Sequence, residues 1–330
     1  MKNGVALVTG GAGFIGSHTV DLLLDSGYKV RVVDNLSGGR EDNLSGQKNN
    51  SNLTLETKDI RNLDPSSSIF TGVDYVFHFA GLGDIVPSIE NPVDYMDVNV
   101  SGTLKVLEGA RSSNNLKKFV YAASSSCYGL ASTPTNENHR IDVLYPYALS
   151  KYMGEQSCFH WNKVYGLPVN SVRIFNAYGT RSRTSGTYGA VFGVFLKQKL
   201  AGAPLTVVGD GSQSRDFLYV SDVAQAFVLA AETVLTGEIW NLGAGAPQSI
   251  NKLVELLGGE VVYLPKRPGE PEVTFADISK ISRELLFKPR ISFKDGVGKV
   301  LKEIHYWENA PLWDEETITR ATKVWFEKLG

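Results

Sequence analysis

A phenol and an ammonium stand four residues apart in Tyr147-Ala148-Leu149-Ser150-Lys151. In a helix that spacing places both side chains on one face. Upstream, Ser124-Ser125-Ser126 follows directly on the apolar run Phe119-Val120-Tyr121-Ala122-Ala123, which reads as a strand. The serines therefore stand at the strand end where open α/β sheets bind their ligands. A free tyrosine, with a pKa of about 10, is a poor base at neutral pH, and a neighbouring lysine favours its phenolate. Ser124 can hydrogen-bond the same substrate oxygen and hold it at proton-transfer distance. Together the three residues could withdraw a proton from a substrate hydroxyl. Such spacing also arises by chance among unrelated surface residues, so the elements that carry them decide.

The first such element lies near the N-terminus. Val5-Ala6-Leu7-Val8 reads as a buried parallel strand, Gly10-Gly11-Ala12-Gly13-Phe14-Ile15-Gly16 as a glycine turn, and Ser17 to Leu24 as a helix with apolar periodicity. The glycines permit a tight turn and close backbone approach, and the helix N-terminus offers free N–H groups and a positive dipole end to a pyrophosphate. A second strand, Lys29-Val30-Arg31-Val32-Val33, ends at Asp34. A carboxylate there accepts the ribose hydroxyls of NAD and repels the extra phosphate of NADP. A plain glycine turn is the competing reading, and strand, helix and Asp34 in register weigh against it. The expected cofactor is NAD, whose positive charge would join Lys151 in favouring the Tyr147 phenolate.

Strand-like runs recur at Leu53–Thr57 and Tyr75–Phe79, followed by polar loops and helical stretches such as Thr103 to Ser112. The alternation predicts an α/β fold, a doubly wound parallel (Rossmann) sheet, with a smaller mixed α/β C-terminal lobe that binds substrate. Residues 178–215 are less regular, with one helix at Val191–Leu200; Val220–Ala231 reads as a helix and Glu238–Leu242 as a strand returning to the sheet. The expected division is 1–175 with 218–245 for the dinucleotide domain, and 176–217 with 246–330 for the lobe. At the tail, Asp314 to Leu329 reads as an amphipathic helix with acidic residues in its first turn. Trp307, Trp313 and Trp325 are expected to cluster around it, anchoring the helix to its own subunit or forming an oligomer contact.

Composition excludes several classes. The 330 residues are 42% hydrophobic and 21% charged, ordinary for a globular protein, and can bury a substantial core. A net charge of −2 gives no support for a nucleic-acid or anionic-membrane partner. No apolar run approaches the roughly 18 residues of a membrane span, and the chain enters a strand without a signal-peptide pattern, so a cytoplasmic location is expected. Cys127 and Cys158 are too few for a disulfide framework or a zinc site and read as packing residues; no metal is expected. His78, at a strand end, reads as a core histidine rather than a proton carrier.

The chain resembles the extended short-chain dehydrogenase/reductase family, in particular its nucleotide-sugar epimerases, over nearly its whole length. The resemblance includes Gly10 to Gly16, Asp34-Asn35-Leu36, Asp59-Ile60, His78-Phe79-Ala80-Gly81, Asn99, Ser124 before Tyr128-Gly129, and the Tyr147/Lys151 pair. It continues through Arg173-Ile174-Phe175-Asn176, Gly209-Asp210-Gly211, Arg215-Asp216, Asn241-Leu242-Gly243 and Arg267-Pro268-Gly269-Glu270. It implies that Asp59 and Ile60 contact the adenine, that Phe79, Ala80, Gly81 and Asn99 line the cofactor channel, and that Phe175 lies against the nicotinamide. The resemblance also implies that Lys151 reaches the NAD ribose hydroxyls. Asn176, Arg215, Arg267 and Glu270 are implied to bind the substrate's nucleotide diphosphate, which suits arginine's charge and planar fork. The bland alternatives are an Arg215–Asp216 salt bridge and a solvated Arg267. A homodimer is implied, paired through the stretches after Pro92 and after Tyr147.

The family's reactions share a first step: oxidation at C4 of the sugar, with the tyrosine taking the hydroxyl proton. Dehydratases then eliminate water across C5–C6 and resemble one another in an Asp-Glu pair after the Ser/Thr; here those positions are Ser125 and Ser126. The expected outcome is therefore 4-epimerisation of a nucleotide-diphosphate sugar, a UDP-hexose or UDP-N-acetylhexosamine, through a transient 4-keto sugar. A 4,6-dehydratase or 4-keto reductase is the alternative, and a non-catalytic NAD-binding regulator a remote one. The residue seven after Arg267, Thr274, falls where the family guards the sugar C2 pocket, and its small size leaves room for an N-acetyl group. Gly83 to Ser88 should face the sugar, and Asp84 departs from the commonest epimerase patterns.

Overall fold

A computed structural model describes residues 4–182, 190–267 and 269–329. Seven strands form one sheet: β1 (Val5–Thr9), β2 (Lys29–Asp34), β3 (Leu53–Thr57), β4 (Tyr75–His78), β5 (Lys118–Ser124), β6 (Val169–Ile174) and β7 (Ile239–Leu242). Their order is β7-β6-β5-β4-β1-β2-β3 and every pairing is parallel. A parallel sheet must be covered on both faces, which is why β1 and β5 read as unbroken apolar runs rather than alternating ones. The chain builds outward from β1 in both directions, so the order reverses between β1 and β4. A crevice opens beyond the strand ends at such a reversal.

The helices, in chain order, are α1 (Phe14–Asp25), α2 (Ile85–Glu90), α3 (Pro92–Met96), α4 (Thr103–Arg111), α5 (Pro146–Tyr165) and α6 (Val191–Leu200). After them come α7 (Val220–Glu232), α8 (Ile250–Leu257), α9 (Ser279–Leu285), α10 (Phe293–Lys302) and α11 (Glu315–Leu329). On one face of the sheet α1 and α7 bury Val20, Leu23, Ala226 and Phe227 against Val8, Val32 and Trp240. On the other, α4 and α5 bury Val106, Leu107, Ala110 and Cys158 against Leu7, Val76 and Tyr121. Each large apolar side chain so buried contributes about 1.5–3 kcal/mol.

Most element boundaries match the reading from sequence to within two residues. Val191–Leu200 is a helix as expected, and α7 and β7 carry the chain back to the sheet. The smaller lobe has its own core, in which α6, α8 and α10 enclose Phe192, Phe195, Leu253 and Val300, with Trp307 fully buried among them. Two features differ from expectation. Ile281, Leu285 and Phe287, on and just after α9, pack with Trp240 and Phe227 in the sheet core rather than in the lobe. Trp307 does not join the tail helix: it belongs to the lobe core, while Trp313 and Trp325 face the cleft described below. The tail itself is a helix that buries Ile318, Thr322 and Trp325, and it is opened by Asp314, whose carboxylate accepts from Thr317 N at 2.8 Å. Among the described residues no helix is long and apolar enough to cross a membrane.

Candidate active site

The glycine turn lies at the sheet's reversal. Gly10 adopts φ +71°, and a side-chain carbon there would stand 2.7 Å from Ala80 N, so only glycine lets the ends of β1 and β4 approach. Gly13 caps α1 without any side-chain hydrogen bond, leaving the first-turn N–H groups of Phe14, Ile15 and Gly16 without intrahelical acceptors. Asp34, buried at the end of β2, accepts from Ala12 N at 3.0 Å and Leu36 N at 2.8 Å; burial raises its pKa and these two bonds oppose the rise. Asn35 Nδ2 donates to Asp59 Oδ2 at 2.9 Å, and Arg61 holds the Asp59 carboxyl down at about 2. Open helix N–H groups, the close backbone approach at Gly10 and a strand-end carboxylate fit a dinucleotide. The Ile60 side chain packs in the core.

The candidate base sits in the first turn of α5, as its second residue. A buried ion pair, Arg173 Nη2 to Glu155 Oε1 at 2.5 Å, ties α5 to β6, and Arg173 also donates to Tyr128 Oη at 2.7 Å. Breaking such a pair costs about 3–5 kcal/mol, so the helix is firmly registered. The Tyr147 phenol is raised by burial, and the Ser124 hydroxyl facing it works the other way, while Asp84 raises it further. The expected lowering by Lys151 is not seen. That ammonium lies over the Tyr121 ring, 4.5 Å from its centroid, and 3.8 Å from where a Gly81 side chain would begin. Burial brings Lys151 down to about 8. It reaches toward the backbone at Gly81, just beyond β4. Ser124 Oγ is 2.7 Å from Ser126 Oγ, and Ser126 in turn serves the Tyr145 phenol. Asn99, in a π-helical turn at 97–102, spends its amide on Leu82 N and O and on Ser150 Oγ at 2.7–3.0 Å. It clamps the loop beyond Gly81 rather than presenting a free amide.

Beyond the strand ends a cleft of about 510 Å³ separates the sheet from the lobe. Asp84, Phe175, Asn176, Arg215, Arg267 and Glu270 line it, together with Trp313 and Trp325. Arg215 Nη2 donates to Glu270 Oε1 at 2.6 Å and Arg267 Nη1 is 3.7 Å from Glu270 Oε2, so one carboxylate holds both guanidiniums. The Arg215–Asp216 pair considered from sequence does not form. Ser214–Arg215 is extended, and successive side chains in a strand point to opposite faces. Asp216, buried on the far side, accepts from Ala244, Gly245 and Ala276 N at 2.8–3.2 Å. Arg267 is no solvated cation either: its side chain is 12% exposed and its guanidinium lies 6.0 Å from the Trp325 ring centroid. Pro268, between Arg267 and Gly269, lies outside the described residues.

The NAD dependent epimerase/dehydratase family model matches residues 6–243, well over half the chain. This protein belongs to that family. The cofactor its turn calls for is therefore NAD. The chain is similar in structure to the UDP-N-acetylglucosamine 4-epimerase of Methanobrevibacter ruminantium in complex with UDP-N-acetylmuramic acid: TM-score 0.86, 35% identity, 94% of this chain and 99% of that one. It is similar also to the UDP-glucuronic acid 4-epimerase of Bacillus cereus in complex with UDP-glucuronic acid and NAD (0.84, 33%, 92% and 99%). The UDP-glucose 4-epimerase of Thermotoga maritima with UDP-glucose matches equally well (0.84, 33%, 92% and 99%).

Within this family member, Gly10, Gly13, Phe14, Ile15, Gly16, Asp34, Phe79, Ala80, Gly81 and Lys151 come together around the sheet reversal. Phe79 packs on Phe227 at 4.6 Å. Asn176, Arg215, Arg267 and Glu270 share the cleft. Thr274 does not line it: its hydroxyl donates to Asn176 Oδ1 at 2.6 Å, so it stands behind a cleft residue. Asp84, Ile85 and Val86 do face the cleft, as the position of that segment suggests. His78 is fully buried between Thr9 and Thr103, at 2.6 and 2.9 Å, with its pKa pushed down to about 3. It is a neutral core residue. Cys127 and Cys158 are buried thiols raised by burial, Cys127 to about 12. Among the described residues no cluster of metal-ligating side chains occurs. Tyr145 escaped the reading from sequence. Its ring stacks on Tyr147 at 6.5 Å and 6°, a contact between residues i and i+2 that no helical periodicity announces.

Proposed function

We propose that the protein inverts the configuration at C4 of a nucleotide-diphosphate sugar, a UDP-hexose or UDP-N-acetylhexosamine, through a 4-keto sugar. The observation that carries this reading is Tyr147 facing Ser124 at the end of β5, beside a cleft in which two arginines share one glutamate. Arg215 and Arg267 would exchange Glu270 for the diphosphate and hold it by charge-assisted hydrogen bonds. Ser124 would orient the C4 hydroxyl and Tyr147 accept its proton. The raised phenol pKa means that Tyr147 rests protonated in the protein alone. A cation arriving at the dinucleotide site would lower it, and Lys151, near Gly81, would hold a ribose. NAD, when bound, supplies a reversible hydride acceptor, so oxidation at C4 and its reversal consume no net reductant. Ser125 and Ser126 provide neither carboxylate of an acid–base pair for elimination. With nothing to divert it, the 4-keto sugar turns over in the cleft and the C4 oxygen takes its proton back from Tyr147.

The relatives named above bind or act on neutral, N-acetylated and acidic sugars, all carried on UDP, which supports UDP as the carrier. Incubating the protein with UDP-, dTDP-, CDP- and GDP-sugars and resolving products by NMR tests the proposal. A C4 epimer without added reductant is expected; a 4-keto-6-deoxy product, or a stoichiometric demand for NADPH, would replace this reading with the dehydratase or reductase. A homodimer is part of the proposal. Val93 on α3 is 75% exposed, and Leu149, Met153 and Val164 form an exposed apolar line on α5. A monomeric mass by light scattering at micromolar concentration would contradict it.

A further inference from the structure

The tail helix reaches the cleft from outside the stretch that the family model covers, which ends at residue 243. α11 touches α2 on the sheet side, and near its end Leu329 lies against Gly269 on the lobe side, where a Gly269 side-chain carbon would be 3.6 Å from Leu329 O. The helix therefore bridges both banks of the cleft. Its Trp325 is 6% exposed yet lines the cavity. The indole meets Tyr145, 6.5 Å between ring centroids, and Tyr145 is stacked on Tyr147. The Arg267 guanidinium lies 6.0 Å from the indole centroid. Trp325 thus touches both the neighbour of the candidate proton acceptor and the candidate diphosphate grip, and still lines the cleft.

We propose that Trp325 is the wall against which the sugar ring lies, making α11 a specificity-determining element of the site. The inference rests on the function proposed above, because in a nucleotide-diphosphate sugar bound at Arg267 and reacting at Tyr147 the hexose must occupy the space between. An aromatic face suits that place physically. It covers the C–H faces of a pyranose by dispersion and burial without fixing direction, so the ring can present either face during inversion. Hydrogen-bonding walls would favour one orientation over the other.

The test compares UDP-N-acetylglucosamine and UDP-glucose with bare UDP as ligands of the NAD-loaded full-length protein by calorimetry. Trp325→Ala should weaken the UDP-sugar bound by the wild type by about tenfold while leaving UDP within about threefold, and Trp325→Phe should recover most of the loss. Equal weakening of UDP and UDP-sugar would show that Trp325 acts only through Arg267 and would overturn the proposal, as would no change in either. Tryptophan emission supplies a readout that does not need the alanine variant to fold. A UDP-sugar should quench wild-type emission more than UDP does, and Trp325→Phe should abolish the difference; a difference that survives refutes the wall. If the wild type binds neither UDP-sugar more tightly than UDP, the nucleotide-sugar reading fails first and this inference with it.

Discussion

The two banks of the cleft are built in opposite ways. On the sheet side, the glycine turn, Asp34, Ser124 and the start of α5 are fixed by strand ends, by Gly10 against Ala80 and by the buried Arg173–Glu155 pair. On the lobe side, Arg215, Arg267 and Glu270 satisfy one another, and Thr274 satisfies Asn176. The first bank is preorganised and holds its chemistry whether or not a ligand is present. The second is self-neutralised, so under the proposed function a diphosphate would have to compete with Glu270 before it is held. Rigid chemistry beside an exchangeable grip suits a reaction in which the nucleotide stays anchored while the sugar turns.

Removing the rigid bank's proposed proton acceptor should have the largest effect. Tyr147→Phe keeps the ring stacked on Tyr145 and should lower turnover about 10²–10⁴-fold, with bound NAD unchanged on denaturing and assaying the released nucleotide. Ser124→Ala should cost less, since it orients rather than accepts. Loss of NAD binding in Tyr147→Phe would mean that the rigid bank is not independent of its tyrosine. On the exchangeable bank, Arg215→Met should raise KM by about 10–100-fold, the worth of a charge-assisted bond, and leave kcat largely intact. A comparable fall in kcat would erase the distinction between the banks.

These predictions start from different degrees of legibility. The sheet, its strand ends and the glycine turn were readable because each rests on contiguous residues with one periodicity. The lobe was harder, since its contacts join residues far apart in sequence. Arg215 meets Glu270 instead of its neighbour Asp216 because an extended backbone sends them to opposite sides. Thr274 was placed at the sugar by position along the chain, yet its hydroxyl is directed to Asn176. Nothing local marked Tyr145 as a neighbour of Tyr147 or Trp325 as a neighbour of Tyr145, whereas His78, at the end of an apolar run, was read correctly as core.

Smaller effects sharpen the comparison. Thr274→Val leaves Asn176 Oδ1 without its 2.6 Å donor and should raise KM by about fivefold, in keeping with one neutral hydrogen bond. An effect confined to kcat would place Thr274 with the chemistry instead. His78 tests the rigid bank through stability. Its folded pKa of about 3 lies below the unfolded value of 6.5, so between them the unfolded chain binds the extra proton. His78 therefore costs nothing above pH 6.5, and stability falls as pH drops toward 3, by at most about 1.4 kcal/mol per pH unit from this residue. Thermal melts of wild type and His78→Asn should diverge most at pH 7 and converge toward pH 4; parallel curves would show that the buried ring is not resisting protonation.

The central claim, inversion at C4 with the hydrogen kept inside the site, is tested most directly by a label. A UDP-sugar that the protein turns over, carrying deuterium at C4, should be converted in light water to its C4 epimer. NMR should find the deuterium retained at C4 of the product, with no added nucleotide required. Loss of deuterium to solvent, or product formed only while a reduced cofactor is consumed, would contradict the account.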